Sequence, residues 1–200
     1  MTFKSIKPGW FFLPQWLLAT ATGFVASLYW IELGEQTDLG VVEGLIGGAA
    51  IGVFQGLMLR HYLAQSWHWI LATTAAWGLL GWSSIGAMGW VVPEAVTDLP
   101  SRVVFGVIEG IKTGLVLGWL QGWALKQQAV YVVRWVMINT MSWAMALALG
   151  WAVGALLRQI TGLFIGEAIG LTLAWVVATA ITGSALSQLL CEVPPIKQPD

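Results

Sequence analysis

Charge is what this sequence most conspicuously lacks: Asp, Glu, Lys and Arg make up 10% of its 200 residues, against roughly a quarter in a water-soluble domain. An ordinary soluble globule is excluded. The net charge of −1 leaves no basic surface for a nucleic-acid partner. A single cysteine, Cys191, excludes an intramolecular disulfide and any cysteine-clustered metal or iron–sulfur centre. Two histidines, His61 and His68, flank one turn and cannot complete a zinc site by themselves. No Ser/His/Asp set, His-Glu-x-x-His or phosphate-binding loop is present, so the expectation is a non-enzyme with no cofactor and no metal.

Apolar residues are in excess instead, at 58% of the chain, with 24 glycines and 14 tryptophans. Glycine is frequent in transmembrane helices and tryptophan gathers at membrane–water interfaces. A helix needs about 20 mainly apolar residues to cross the hydrocarbon core. Six runs qualify, near Trp10 to Ile31, Val41 to Leu63, Ser66 to Val92, Arg102 to Lys126, Val130 to Leu157 and Thr161 to Leu190. The expected fold is all-α: a polytopic integral membrane bundle of six transmembrane helices, forming one domain over residues 1–200. Thr37 and Asp38, and the segment from Pro93 to Ser101, supply turn and N-cap chemistry between spans.

The first run has signal-like features, with Lys4 and Lys7 before it and Ala19-Thr20-Ala21 inside it. Its apolar stretch is too long, and Pro14 and Gln15 interrupt its start, so it reads as a retained span with Pro14 in the first turns. Lys4, Lys7, Arg60, Lys126, Arg134 and Lys197 fall on one side of the membrane and only Arg102 and Arg158 on the other. That bias predicts both termini in the cytoplasm. Glu32, Glu35, Asp38, Glu94 and Asp98 make the opposite side acidic. Trp30 and Trp90 are expected at the outer interface, and Trp10, Trp67, Trp123 and Trp135 at the inner one.

A shift of 66 residues aligns Gly40 to Trp77 with Gly106 to Trp143 without a gap, and 12 of 38 positions are identical. Glycines 40, 44, 48, 52 and 56 fall on glycines 106, 110, 114, 118 and 122; Glu43 falls on Glu109, Gln55 on Gln121, Arg60 on Lys126, Trp69 on Trp135, and Trp77 on Trp143. Each copy is a helical hairpin, and both start on the same side, so the repeats are parallel and related most simply by a twofold axis along the membrane normal. Gly162, Gly166, Gly170, Ala174 and Ala178 echo the ladder near Glu167, and Trp-x-x-Ala-Thr recurs at Trp16, Trp69 and Trp175.

The run Gly48-x3-Gly52-x2-Gln55-Gly56-x2-Leu59-Arg60 resembles the G-x3-G-x2-Q-W-L-x-L-R repeats of a group of poorly characterised bacterial multi-span membrane proteins. Gly56 and Gly122 after the glutamine, and Lys126 for the second arginine, depart from that pattern. The resemblance covers the second to fifth spans well and the first and sixth in part. It implies a helical membrane fold in the bacterial cytoplasmic membrane, or an internal bacterial membrane, and no particular reaction.

Gly44, Gly48, Gly52, Gly110, Gly114 and Gly118 are candidate packing positions, since glycine lets backbones approach where lipid supplies no hydrophobic drive. They predict that the second and fourth spans lie at the centre of the bundle. The alternative reading, that glycine clears space for a flat ligand, stays open.

The ionisable side chains within spans form the candidate polar site: Glu109, Lys112, Glu43 and Glu167. Glu109 and Lys112 share a helix face and read as an ion pair or as the lining of a polar cavity. Glu43, Glu109 and Glu167 can converge on one outward vestibule for a cation or proton, or Glu43 can serve the N-terminal dipole of its helix. Gln55 and Gln121 are expected to hydrogen-bond between helices.

Three functional expectations follow. One is binding or transport of a small solute or cation. The second is a scaffold or assembly partner of other membrane proteins. The third is the substrate-binding subunit of a vitamin importer, which Ala19, Gly23 and Ala26 resemble weakly. The lipid bilayer is a partner in all three.

Overall fold

A computed structural model describes residues 7–31, 39–83, 92, 96, 98–125 and 129–192. Lys4, Lys126 and Lys197, used for the topology, and Trp90, Glu32, Glu35, Asp38 and Glu94 lie outside the described residues. Among the described residues there are six α-helices: α1 (Phe12–Ser27), α2 (Val41–Leu59), α3 (Trp67–Ser83), α4 (Leu99–Ala124), α5 (Ala129–Thr161) and α6 (Ile165–Glu192).

Among these residues four helices, α2, α4, α6 and the Tyr131–Thr161 part of α5, are long and apolar enough to cross a membrane, not the six that the apolar runs predict. They give the chain the character of a membrane protein. α1 has 16 residues and at 1.5 Å per residue reaches about 24 Å, short of a core of roughly 30 Å; α3 is described only as far as Ser83, over 17 residues. The end of α1 explains part of the difference. Ser27 Oγ donates to Phe24 O at 2.6 Å, and Leu28, Tyr29 and Trp30 donate to carbonyls three residues back. The chain thus tightens into a narrower helical turn although its apolar character continues.

Local chemistry sets the other boundaries. Pro14 is the third residue of α1, where its missing amide has no partner to lose. Asp98 caps α4, accepting from the Ser101 amide at 3.0 Å, with Pro100 in the first turn. Those hydrogen bonds from Ser101 hold the Asp98 carboxyl below its usual range. The cap's contribution is therefore complete above the ordinary aspartate pKa and fades as pH falls through the lowered value. Gly162, at φ 68°, turns the chain out of α5; it terminates a helix and does not belong to the α6 ladder.

The helices touch in chain order, α1 to α2 and onward to α6, and α6 returns to α1. No described helix pair brings its backbones together across this closed ring; only side chains meet there. The expectation that α2 and α4 sit at the centre is therefore wrong; the centre is filled by side chains. The ladders act between neighbours. A Cβ at Gly106, Gly110, Gly114 or Gly118 would lie 2.5–2.8 Å from the Cα of Ala148, Ala144, Thr140 or Val136 respectively. This falling register shows α4 and α5 antiparallel, backbone on backbone. Gly48 and Gly52 do the same against Thr74 and Ile70 of α3, and Gly170 meets Gly154 of α5.

The repeat extends beyond two hairpins. α1 carries Trp16 and Phe24, α3 Trp69 and Trp77, and α5 Trp135 and Trp143, each pair eight residues apart. Trp16, Trp69 and Trp135 meet in one layer, with neighbouring centroids 5.8 and 5.6 Å apart. Phe24, Trp77 and Trp143 meet Trp175 of α6 in a second layer, at 5.1–5.2 Å from its ring. Three alternate helices thus present equivalent aromatics, a threefold pattern in place of the expected twofold one. Trp135 is 1% exposed, so it belongs to the core and not to the interface where the sequence reading puts it. Trp10, Trp30, Trp67 and Trp123 are exposed as expected of interfacial residues.

Candidate functional site

The two aromatic layers divide the interior along the ring axis. Between them lies a chamber of about 30 Å³, lined by Thr20, Gln55, Thr73, Gln121, Asn139, Thr179 and Thr182 together with tryptophans of both layers. A water needs roughly 10–15 Å³ on this measure, so the chamber has room for about two. Its polar groups answer one another across helices, as expected of the glutamines. Gln55 Nε2 donates to Thr20 Oγ1 at 2.9 Å and Trp69 Nε1 donates to Gln55 Oε1 at 3.0 Å. Gln121 Nε2 donates to Thr73 Oγ1 at 3.1 Å. Asn139 Nδ2 turns back to Trp135 O at 3.1 Å.

Beyond the second layer, at the end where α2 begins, a larger cavity of about 70 Å³ opens. Phe24, Trp77, Trp143 and Trp175 form its aromatic wall, Gly44, Gly47 and Gly48 its floor, and Glu43 is its ionisable residue among the described lining. Gly44 and Gly48 thus combine both readings of the ladder: Gly48 lets α3 approach, and the two together leave space beside the indoles. The Glu43 carboxylate folds toward its own helix N-terminus, since a Cβ on Gly40 would lie 2.9 Å from Oε2. It thus lies at the positive end of the α2 dipole.

The three carboxylates do not share one vestibule. Glu109 is buried and accepts from Lys112 Nζ at 2.6 Å, while the Lys112 side chain, 43% exposed, reaches the surface of α4; neither residue lines the cavities described here. Glu167 is 1% exposed and is bound by Arg102 Nη1 at 2.7 Å. Arg102 reaches it from the first turn of α4 across to the first turn of α6. Glu43 alone of the three lines the larger cavity.

Helical spacing signals the Glu109–Lys112 pair. It carries no signal for Arg102–Glu167, whose members stand 65 residues apart. Thr20, Thr73, Asn139 and the chamber tryptophans were also missed, although the eight-residue aromatic spacing on α1, α3 and α5 marks them. The Trp-x-x-Ala-Thr motif points to Trp175, whose ring joins the other layer; the residue that completes the layer of Trp16 and Trp69 is Trp135.

At the opposite end, Arg134 Nη1 holds the Glu192 carboxylate at 2.7 and 3.0 Å, tying α5 to α6. His68 packs edge-on to Trp123 at 4.7 Å, and Arg60 Nε donates to His61 Nε2 at 3.5 Å. No group of three His, Cys, Asp or Glu able to hold a metal occurs among the described residues. Of Ala19, Gly23 and Ala26, Gly23 packs against α2, since a Cβ there would sit 2.5 Å from Ile51 Cα. The chain matches no family model, no curated protein and no solved structure.

Proposed function

We propose that this protein is a non-enzymatic solute-binding protein of the bacterial cytoplasmic membrane, and that the Glu43 cavity receives a small organic cation. The observation that carries the reading is the pairing of one carboxylate with an aromatic wall. A cation over an indole face is attracted by the ring quadrupole, more strongly once desolvated, and a nearby carboxylate supplies the countercharge. The cavity of about 70 Å³ has room for about five waters, the scale of a small ammonium head group.

The charge distribution supports an orientation with this cavity outside and both termini in the cytoplasm. Arg60 and Arg134 stand at the other end of the ring, and Arg102, one of two basic residues at the cavity end, is neutralised by Glu167. A cation entering from outside then meets no uncompensated Arg102 charge.

Titrating the detergent-solubilised protein with benzyltrimethylammonium should give saturable quenching of tryptophan fluorescence. Glu43→Gln should weaken binding by about tenfold, or 1.4 kcal/mol. An unchanged affinity in Glu43→Gln, or no saturable response in the wild type, would contradict the reading. One observation favours a scaffold instead: Val133, Met137, Met141, Met145 and Leu149 make an exposed strip along α5, and flexible methionines suit adaptable contacts. A scaffold would keep its protein partners in Glu43→Gln and show no response to the cation.

A further inference from the structure

The internal repeat provides its own control. In the first hairpin the glutamine is used twice: Gln55 donates to Thr20 at 2.9 Å and accepts from Trp69 at 3.0 Å. In the second hairpin Gln121 donates to Thr73 at 3.1 Å in the same manner. The equivalent of the second bond is missing, because Trp135 Nε1 is buried without a partner. Trp16, which completes the same aromatic layer from α1, also has a buried and unpartnered Nε1. Both residues line the chamber, and they are 2% and 1% exposed.

A buried N–H with no acceptor bears the full cost of its desolvation, and such groups are rare. Trp151 Nε1 is buried and unpartnered as well but its residue does not line the chamber; Trp16 and Trp135 both do, while the aligned Trp69 is satisfied by Gln55, and this contrast marks a place for acceptor atoms from outside the chain. The chamber's described lining contains no ionisable side chain, so nothing there compensates a charge. Its volume of about 30 Å³ admits about two water-sized groups.

We propose that the chamber is a binding site for a small uncharged oxygen acceptor, held by N–H donation from Trp16 and Trp135 and answered by the amide and hydroxyl groups of Gln121, Asn139 and Thr179. Water and the carbonyl or hydroxyl oxygen of a small neutral solute share this chemistry. The site is separate from the Glu43 cavity and does not depend on cation binding there: loss of the cation response leaves it standing, and its own failure leaves the Glu43 reading standing.

The test is nitrogen-15 indole NMR of the full chain in mild detergent micelles, with signals assigned by Trp16→Phe, Trp69→Phe and Trp135→Phe. Should a variant fail to fold, the wild-type signals are assigned from proximity to Thr20 and Asn139. The indole protons of Trp16 and Trp135 are expected at the downfield, hydrogen-bonded position shared with Trp69. A cross-peak to water at both identifies water as the occupant. A small-molecule adduct in native mass spectrometry, kept by the wild type and lost in Trp135→Phe or Trp16→Phe, identifies a solute. Indole protons of Trp16 and Trp135 well upfield of Trp69, with no water cross-peak and no adduct, would overturn the proposal.

Discussion

Arg102→Met should destabilise the protein by about 3–5 kcal/mol, because it leaves the Glu167 charge buried without its partner. Glu167 is 1% exposed, and Arg102 Nη1 is bound to its Oε1 at 2.7 Å. Its other oxygen, Oε2, is buried with no partner, so no second donor takes over when the guanidinium is removed. Glu167→Gln leaves the milder defect of a 15% exposed Arg102 without its countercharge. The double variant removes both charges and should recover most of the loss, since replacing a whole buried pair with neutral groups is often close to neutral. Denaturant unfolding of the four proteins in one detergent measures this coupling. Additive losses would show that the two side chains do not interact.

The second large effect concerns Gly110. A Cβ there would lie 2.5 Å from Ala144 Cα and closer still to the Trp143 carbonyl oxygen, and both obstacles are backbone. Gly110→Ala must therefore push α4 and α5 apart along their whole seam, at a cost of about 1–3 kcal/mol or more. Gly47→Ala is the control. Its Cβ would meet only the end of the Ile31 side chain, at 3.3 Å, and alanine favours the helix by up to about 1 kcal/mol over glycine. Gly47→Ala is expected to melt at or above the wild-type temperature and Gly110→Ala well below it. Equal melting temperatures would remove the ladder from the packing account.

The ladders were legible in the sequence because a close helix crossing needs little more than small residues at four-residue spacing. The helical hairpins, and the glutamines as cross-helix donors, were legible for the same reason: both are local patterns repeated 66 residues apart. The ring was not. Spacing assigns a residue to a face of its own helix but does not say which helix that face meets. Glu109 and Lys112 are paired as their spacing suggests, yet Glu109 is buried and the Lys112 side chain half-exposed, because spacing does not say how far each side chain reaches toward the surface. Glu167 was grouped with the wrong charges because Arg102 meets it only after α4, α5 and α6 have packed. In α1 the apolar run overstated the helix, since hydropathy does not register the tighter turn after Ser27.

Both cavities require that α6 closes on α1; an open ring would expose the chamber and the Glu43 cavity to lipid. The native Cys191 allows a direct measurement, because its Sγ lies 3.9 Å from the Pro8 carbonyl oxygen. Pro8→Cys, oxidised in membranes with copper phenanthroline, should form an intramolecular disulfide with Cys191, seen as a monomeric band whose cross-link disappears in Pro8→Cys with Cys191→Ser. Absence of the intramolecular link, with both thiols still open to alkylation, would contradict the closed ring.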